Sequence, residues 1–159
     1  MLPARIHRQQ CGLTLVELII AIAILGVLAV MLLPMARVNA KRDRERELRR
    51  DLWAMRSAID RYKDLADQNA FQTKVDSFGF PPDLDTLVKG QDIHGVKIKF
   101  LRRIPVDPMT GKDEWGLRSM QDEPDSDSWG GQNVFDVYSK SEAEALDSTK
   151  EHKDQYKDW

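Results

Sequence analysis

Cysteine is almost absent from this chain, with one thiol, Cys11, in 159 residues. A single cysteine closes no internal disulfide and builds no thiolate metal cluster, so covalent stapling does not hold this fold together. Histidine is nearly as scarce, at His7, His94 and His152. No G-x-S-x-G, Walker loop or glycine-rich dinucleotide fingerprint occurs, and no catalytic constellation emerges, so the sequence reads as that of a non-enzyme. An excess of one charge is missing too. The 24 basic and 26 acidic residues leave a formal net charge of -2, too balanced for a general nucleic-acid binder. The length suits one domain of ordinary size with an appended segment.

One region lacks charge almost entirely. From Leu13 to Met35 the sequence is LTLVELIIAIAILGVLAVMLLPM, apolar but for Thr14 and Glu17. As a helix it reaches about 34 Å, close to the hydrocarbon thickness of a bilayer. It is preceded by Arg5, His7 and Arg8 with no acid. An ordinary secretory signal would share the basic start and offers Val38-Asn39-Ala40 as a small-x-small cleavage site. Its apolar run would then be unusually long, and Glu17 would stand unexplained inside it at a cost of about 2.5 kcal/mol or more. A plain membrane anchor leaves Glu17 equally unexplained. A lipoprotein reading of Cys11 fails because no apolar stretch precedes it.

The run Gly12-Leu13-Thr14-Leu15-Val16-Glu17 followed by this apolar segment resembles the class III signal of type IV pilins and of type II secretion pseudopilins. The resemblance implies cleavage between Gly12 and Leu13 by prepilin peptidase, with N-methylation of Leu13, where the family usually has Phe. It implies a role for Glu17 as well. An intramembrane carboxylate needs a cation at its own depth. Cleavage supplies one as the Leu13 amine, which in a staggered filament meets Glu17 of a neighbour. Arg5 and Arg8 favour a cytoplasmic N-terminus, but Arg37, Lys41, Arg42, Arg44, Arg46, Arg49 and Arg50 interleaved with acids beyond the apolar run leave the charge count ambiguous; it is the resemblance that implies a bacterial inner-membrane, single-pass protein with the remainder in the periplasm. Gly26 and Pro34 weaken a helix, and the family often loosens its helix at such residues.

Beyond Pro34, Leu48, Leu52, Met55, Ile59, Tyr62 and Leu65 or Ala66 recur at spacings of three and four, the apolar stripe of an amphipathic helix. Opposite charges at helical spacing, Glu45 with Arg49, Asp43 with Arg46 and Glu47 with Arg50, decorate its solvent side. The organisation expected is a leader over 1–12, a transmembrane helix over 13–36, its amphipathic continuation over 37–70 and a periplasmic α/β domain over 71–159. Within that domain Asp83 caps a short helix carrying Leu84, Leu87 and Val88, and strands are expected at Val96 to Phe100, Trp115 to Met120 and Asn133 to Tyr138. Asp107, between Pro105 and Pro108, is placed to hydrogen-bond the turn after it. The fold class is α+β, a long N-terminal helix packed on a small antiparallel sheet. Trp53, Trp115, Trp129 and Trp159 read as core or tail-packing residues.

The segment Phe100 to Gly111, with Trp115-Gly116-Leu117-Arg118-Ser119 and the tail from Val137 to Trp159, is similar to the periplasmic domain of the major, G-type pseudopilin. That resemblance implies a subunit of a self-assembling periplasmic pseudopilus that drives protein export. Its implied partners are further copies of itself, minor pseudopilins, prepilin peptidase and the inner-membrane secretion platform. It also implies a calcium ion in the C-terminal loop, for which Asp147 and Asp158 are the candidate oxygen ligands. Glu142-Ala143 departs from the Asp-Gly often seen there. The acid group Asp125 to Gly130 with Asp136 only superficially matches an EF-hand, since Trp129 fills a ligand position. A type IV pilin or minor pilin of a surface fibre remains the alternative, followed by a secreted or anchored protein with an ordinary signal.

Overall fold

Leucine and alanine, good helix formers, recur through the first part of the chain; in an apolar setting a helix also satisfies its backbone groups internally. The computed structural model describes residues 14–123, 126, 128–148 and 154–159, with the backbone alone for residues 31–34. Helix α1 runs over Leu15–Asp67, 53 residues. Thr14, immediately before it, accepts the Glu17 N–H through Oγ1 at 3.3 Å, and its carbonyl accepts the Leu18 N–H at 3.1 Å. Thr14 and Glu17 thereby match the S/T-x-x-E signature of a helix start. Both Gly26 and Pro34 fall inside the helix.

The chain divides into two units, residues 1–40 and 41–159. In the first, the described side chains from Leu15 to Val30 are exposed throughout, and α1 is the one helix among the described residues long and apolar enough to cross a membrane.

In the second unit α1 is amphipathic and supplies one wall of the core. Leu48, Leu52, Met55, Ile59 and Tyr62 are buried against Leu84, Leu87, Phe100, Trp115, Val134, Val137 and Tyr156. Ala66, rather than Leu65, continues the buried stripe. Edge-to-face aromatic contacts join Tyr62 to Phe71 at 4.9 Å and to Phe100 at 5.2 Å between centroids, a geometry favoured by ring quadrupoles. Helix α2 spans Leu84–Lys89, and its N-cap Asp83 accepts the Thr86 N–H at 2.6 Å as expected.

The strands are shorter than the sequence suggests and do not form one sheet. Strand β1 (Gln91–Ile93) pairs antiparallel with β2 (Val96–Ile98), and β3 (Gly116–Arg118) pairs antiparallel with β4 (Asp136–Tyr138), giving two separate two-stranded sheets. The first hairpin turns through His94 and Gly95, at φ of 52° and 81°. Positive φ at both central residues matches the right-handed twist of its strands. In the second, Gly116 faces Tyr138 across the ladder. A Cβ at Gly116 would lie 2.3 Å from the Tyr138 ring, so only glycine lets that ring close over the strand.

The connecting loops are fixed by buried polar groups. Asp107 has no exposed surface; its carboxylate accepts Met109 N–H at 2.8 Å, Thr110 O–H at 3.1 Å and Ser139 O–H at 2.7 Å. Three donors satisfy a group that would otherwise be costly to bury. Trp115 donates Nε1–H to the Pro105 carbonyl at 2.9 Å. The proline-bounded segment is therefore tied both to its own turn and to β4's exit.

Candidate functional site

Two regions combine chemistry with an arrangement that packing alone does not require. The first is the start of α1. Leu15, Val16, Leu18, Ile19, Ile20, Ile22, Ile24 and Leu25 are each more than half exposed, a contiguous apolar surface of a kind that marks a membrane or protein contact. Glu17 is the sole charged residue between Leu15 and Met35. It stands in the first turn, where unpaired N–H groups and the helix dipole favour a negative charge. Gly12 and Leu13, the expected cleavage pair, lie outside the described residues, as do Asp125, Asp127 and His152.

The second is the seat of the C-terminal tail on α1. Glu45 is buried, at 7% exposure. Its Oε1 accepts both the Leu146 N–H and the Tyr156 O–H at 2.8 Å. This corrects the expected Glu45–Arg49 pair: Glu45 lies on the core side of the helix, and Arg49 stacks instead on the Trp159 ring at 4.4 Å. The expected Asp43–Arg46 and Glu47–Arg50 pairs do form, at 3.4 and 3.9 Å, but both are exposed and worth little. Lys41 donates to the Glu144 carbonyl at 2.6 Å. Arg56 forks onto Asp136 at 2.7 and 3.3 Å and reaches the Trp159 carbonyl at 2.9 Å. Burial and the adjoining Glu45 carboxylate raise the Tyr156 phenol above its ordinary pKa, since each disfavours the phenolate.

This arrangement bears on calcium. Asp147 lines a polar cavity with Arg42, Arg46 and Arg49, whose charges oppose a divalent cation. Asp158 is exposed in the short 3₁₀ turn Tyr156–Asp158. Among the described residues no three His, Cys, Asp or Glu side chains stand close enough to hold a metal, and Asp136 is engaged by Arg56.

Trp115 is buried and Trp159 packs on Tyr156 at 5.1 Å. Trp129 is 40% exposed and donates Nε1–H to the Asn133 carbonyl at 2.8 Å. Trp53 departs from expectation: it is 71% exposed on the outer face of α1, because position 53 falls one residue past the buried Leu52 and points away from the core.

Residues 7–33 match the family model described as the prokaryotic N-terminal methylation motif, which spans Gly12, Leu13, Glu17 and Gly26. The chain is an α+β protein whose apolar N-terminal helix carries a prepilin-type motif. The Pseudomonas aeruginosa protein named type II secretion system core protein G is 29% identical over 141 residues, covering 84% of each chain. A protein of the same name from Escherichia coli K12 is 29% identical over 103 residues, covering 63% of this chain and 67% of its own length. No solved structure gives a significant match. The chain carries the prepilin methylation motif and is similar to type II secretion system core protein G.

Proposed function

We propose that this chain is a structural subunit of a pseudopilus in type II secretion, processed by prepilin peptidase and assembled through its N-terminal helix to drive protein export. The observation that carries this is Glu17, an isolated carboxylate in the first turn of an exposed apolar helix within the methylation motif. In a membrane such a charge costs several kcal/mol unless paired. Cleavage after Gly12 frees the Leu13 amine at the same end of the helix. Pairing it with Glu17 of a neighbouring copy neutralises both charges and rewards one register over random helix association. Minor pseudopilins and the inner-membrane platform are the further partners of this reading, with the N-terminus cytoplasmic and residues 41–159 periplasmic.

N-terminal mass spectrometry of the membrane-extracted chain tests the processing: the mature protein should begin at a methylated Leu13. A first residue at Lys41 would mean an ordinary secretory signal and end this reading. Glu17→Gln should abolish filament formation while leaving processing intact. A deletion strain that still makes surface fibres but retains its exported proteins separates secretion from a surface pilus.

A further inference from the structure

Trp53 is 71% exposed on α1, a large apolar surface that the subunit's own core leaves uncovered. The indole lines two clefts at once. One, of about 400 Å³, it shares with Arg49, Leu52, Arg56 and Trp159. The other, of about 450 Å³, lies between α1 and the loop Phe100 to Arg103, with Ala54, Phe100 and Leu101 as its apolar wall and Arg61, Arg102 and Arg103 as its charges. Every charged residue lining either cleft is an arginine.

The guanidiniums are unequally engaged. Arg56 is held by Asp136, Arg49 stacks on Trp159, and Arg103 lies within electrostatic reach of Asp51. Arg61 and Arg102 are exposed and form no ion pair among the described residues. The nearest acids on the helix are set apart from them. Asp60 and Asp64 follow Trp53 by seven and eleven residues, about two and three turns along the same side, whereas Arg61, eight residues on, is turned about 80° toward the loop. Negative charge is therefore favoured on the loop side of Trp53 and opposed along the helix. The N–H groups of Arg102 and Arg103 make no backbone hydrogen bond among the described residues, so the cleft's own loop offers main-chain donors as well.

We infer that this surface docks an acidic segment of another protein, with an apolar side chain seated against Trp53 and carboxylates on Arg61 and Arg102. Exposed tryptophan ringed by arginine is the composition of an interface hot spot, and a guanidinium fork matches a carboxylate in shape as well as charge. A peptide supplies all three complements: carboxylate, apolar side chain and main-chain carbonyl. The surface belongs wholly to residues 41–159, and the inference does not rest on filament assembly.

Fluorescence anisotropy with the detergent-solubilised full-length chain tests it. A labelled peptide of alternating glutamate and leucine should bind saturably, and peptides alternating lysine with leucine or glutamate with serine should bind at least about tenfold more weakly. Trp53→Ser, and separately Arg61→Gln with Arg102→Gln, should each weaken the first peptide about tenfold with unfolding midpoints unchanged. Arg44→Gln with Arg46→Gln, which removes the same charge outside both clefts, should leave binding intact. Equal binding of the glutamate–serine peptide, or equal loss in the Arg44 and Arg46 variant, would reduce the effect to general charge attraction and overturn the inference. Tighter binding of a labelled oligonucleotide would overturn it in favour of a phosphate-bearing partner. Sedimentation of the purified chain as an oligomer that Trp53→Ser dissociates would overturn it in favour of a second copy.

Discussion

Replacing Glu45 by alanine removes the one acceptor shared by Leu146 N–H and Tyr156 O–H. Hydrogen bonds to a charged group contribute about 1.5–3 kcal/mol each, and a buried donor left unpaired loses its hydration without return. The two bonds share one oxygen and are not additive, so a total of about 3–4 kcal/mol is expected. The loss should be local. Amide exchange at Ala145, Leu146 and Tyr156 in the detergent-solubilised chain should quicken about 10²- to 10³-fold, one decade per 1.4 kcal/mol. Glu45→Gln keeps an oxygen acceptor and should lose only about 1 kcal/mol. Glu47→Ala, at a side chain 54% exposed with Arg50 3.9 Å away, should change little. Exchange in Glu45→Ala equal to that in Glu47→Ala would refute the reasoning.

Titration of Tyr156 gives a second check. Its phenol pKa lies above the ordinary 10.0 when folded, so its contribution is complete below about pH 10 and fades as pH rises beyond that. Wild-type unfolding midpoints should drop more steeply above pH 10 than those of Tyr156→Phe. Backbone N–H groups of Ser119 and Gly130 lower the Asp122 pKa below 3.8, so its contribution is present above that value and is lost as pH falls; Asp122→Asn should flatten the acid limb of the stability profile. Gly116→Ala, forcing a methyl to within 2.3 Å of the Tyr138 ring, should cost about 2–3 kcal/mol by denaturant unfolding. Leu48→Ala, at a side chain with no exposed surface, should cost about 2–5 kcal/mol in the same assay.

The helix was legible because its signals are local and periodic. The 3.6-residue repeat from Leu48 to Tyr62 marked the core face, and Asp83 announced α2 through its own cap. Strand β1 was not legible, since Gln91-Asp92-Ile93 holds a single apolar residue; the readable sign was His94-Gly95, a pair suited to a two-residue turn. Candidate strands came out longer than the three-residue ladders that form, because alternation continues past the last paired residue. Glu45 was misread for a different reason. Its helical neighbour Arg49 offered a plausible partner four residues away, whereas its actual partners lie 101 and 111 residues on. Local spacing carries no information about contacts at that distance. Trp53 was misplaced because aromatic bulk suggests burial, while helical phase decides it.

The span between Glu45 and its partners also orders events during synthesis. The amphipathic half of α1 emerges from the ribosome roughly a hundred residues before the segment that will cover its Glu45 end. Until then Leu48 and Leu52 have no tail above them, and closing so long a loop is an entropic cost met late in folding. A chain interrupted anywhere before Leu146 would therefore leave this end of the helix uncovered, exposing apolar surface that a folded subunit hides. Completion of the tail thus removes that exposed surface.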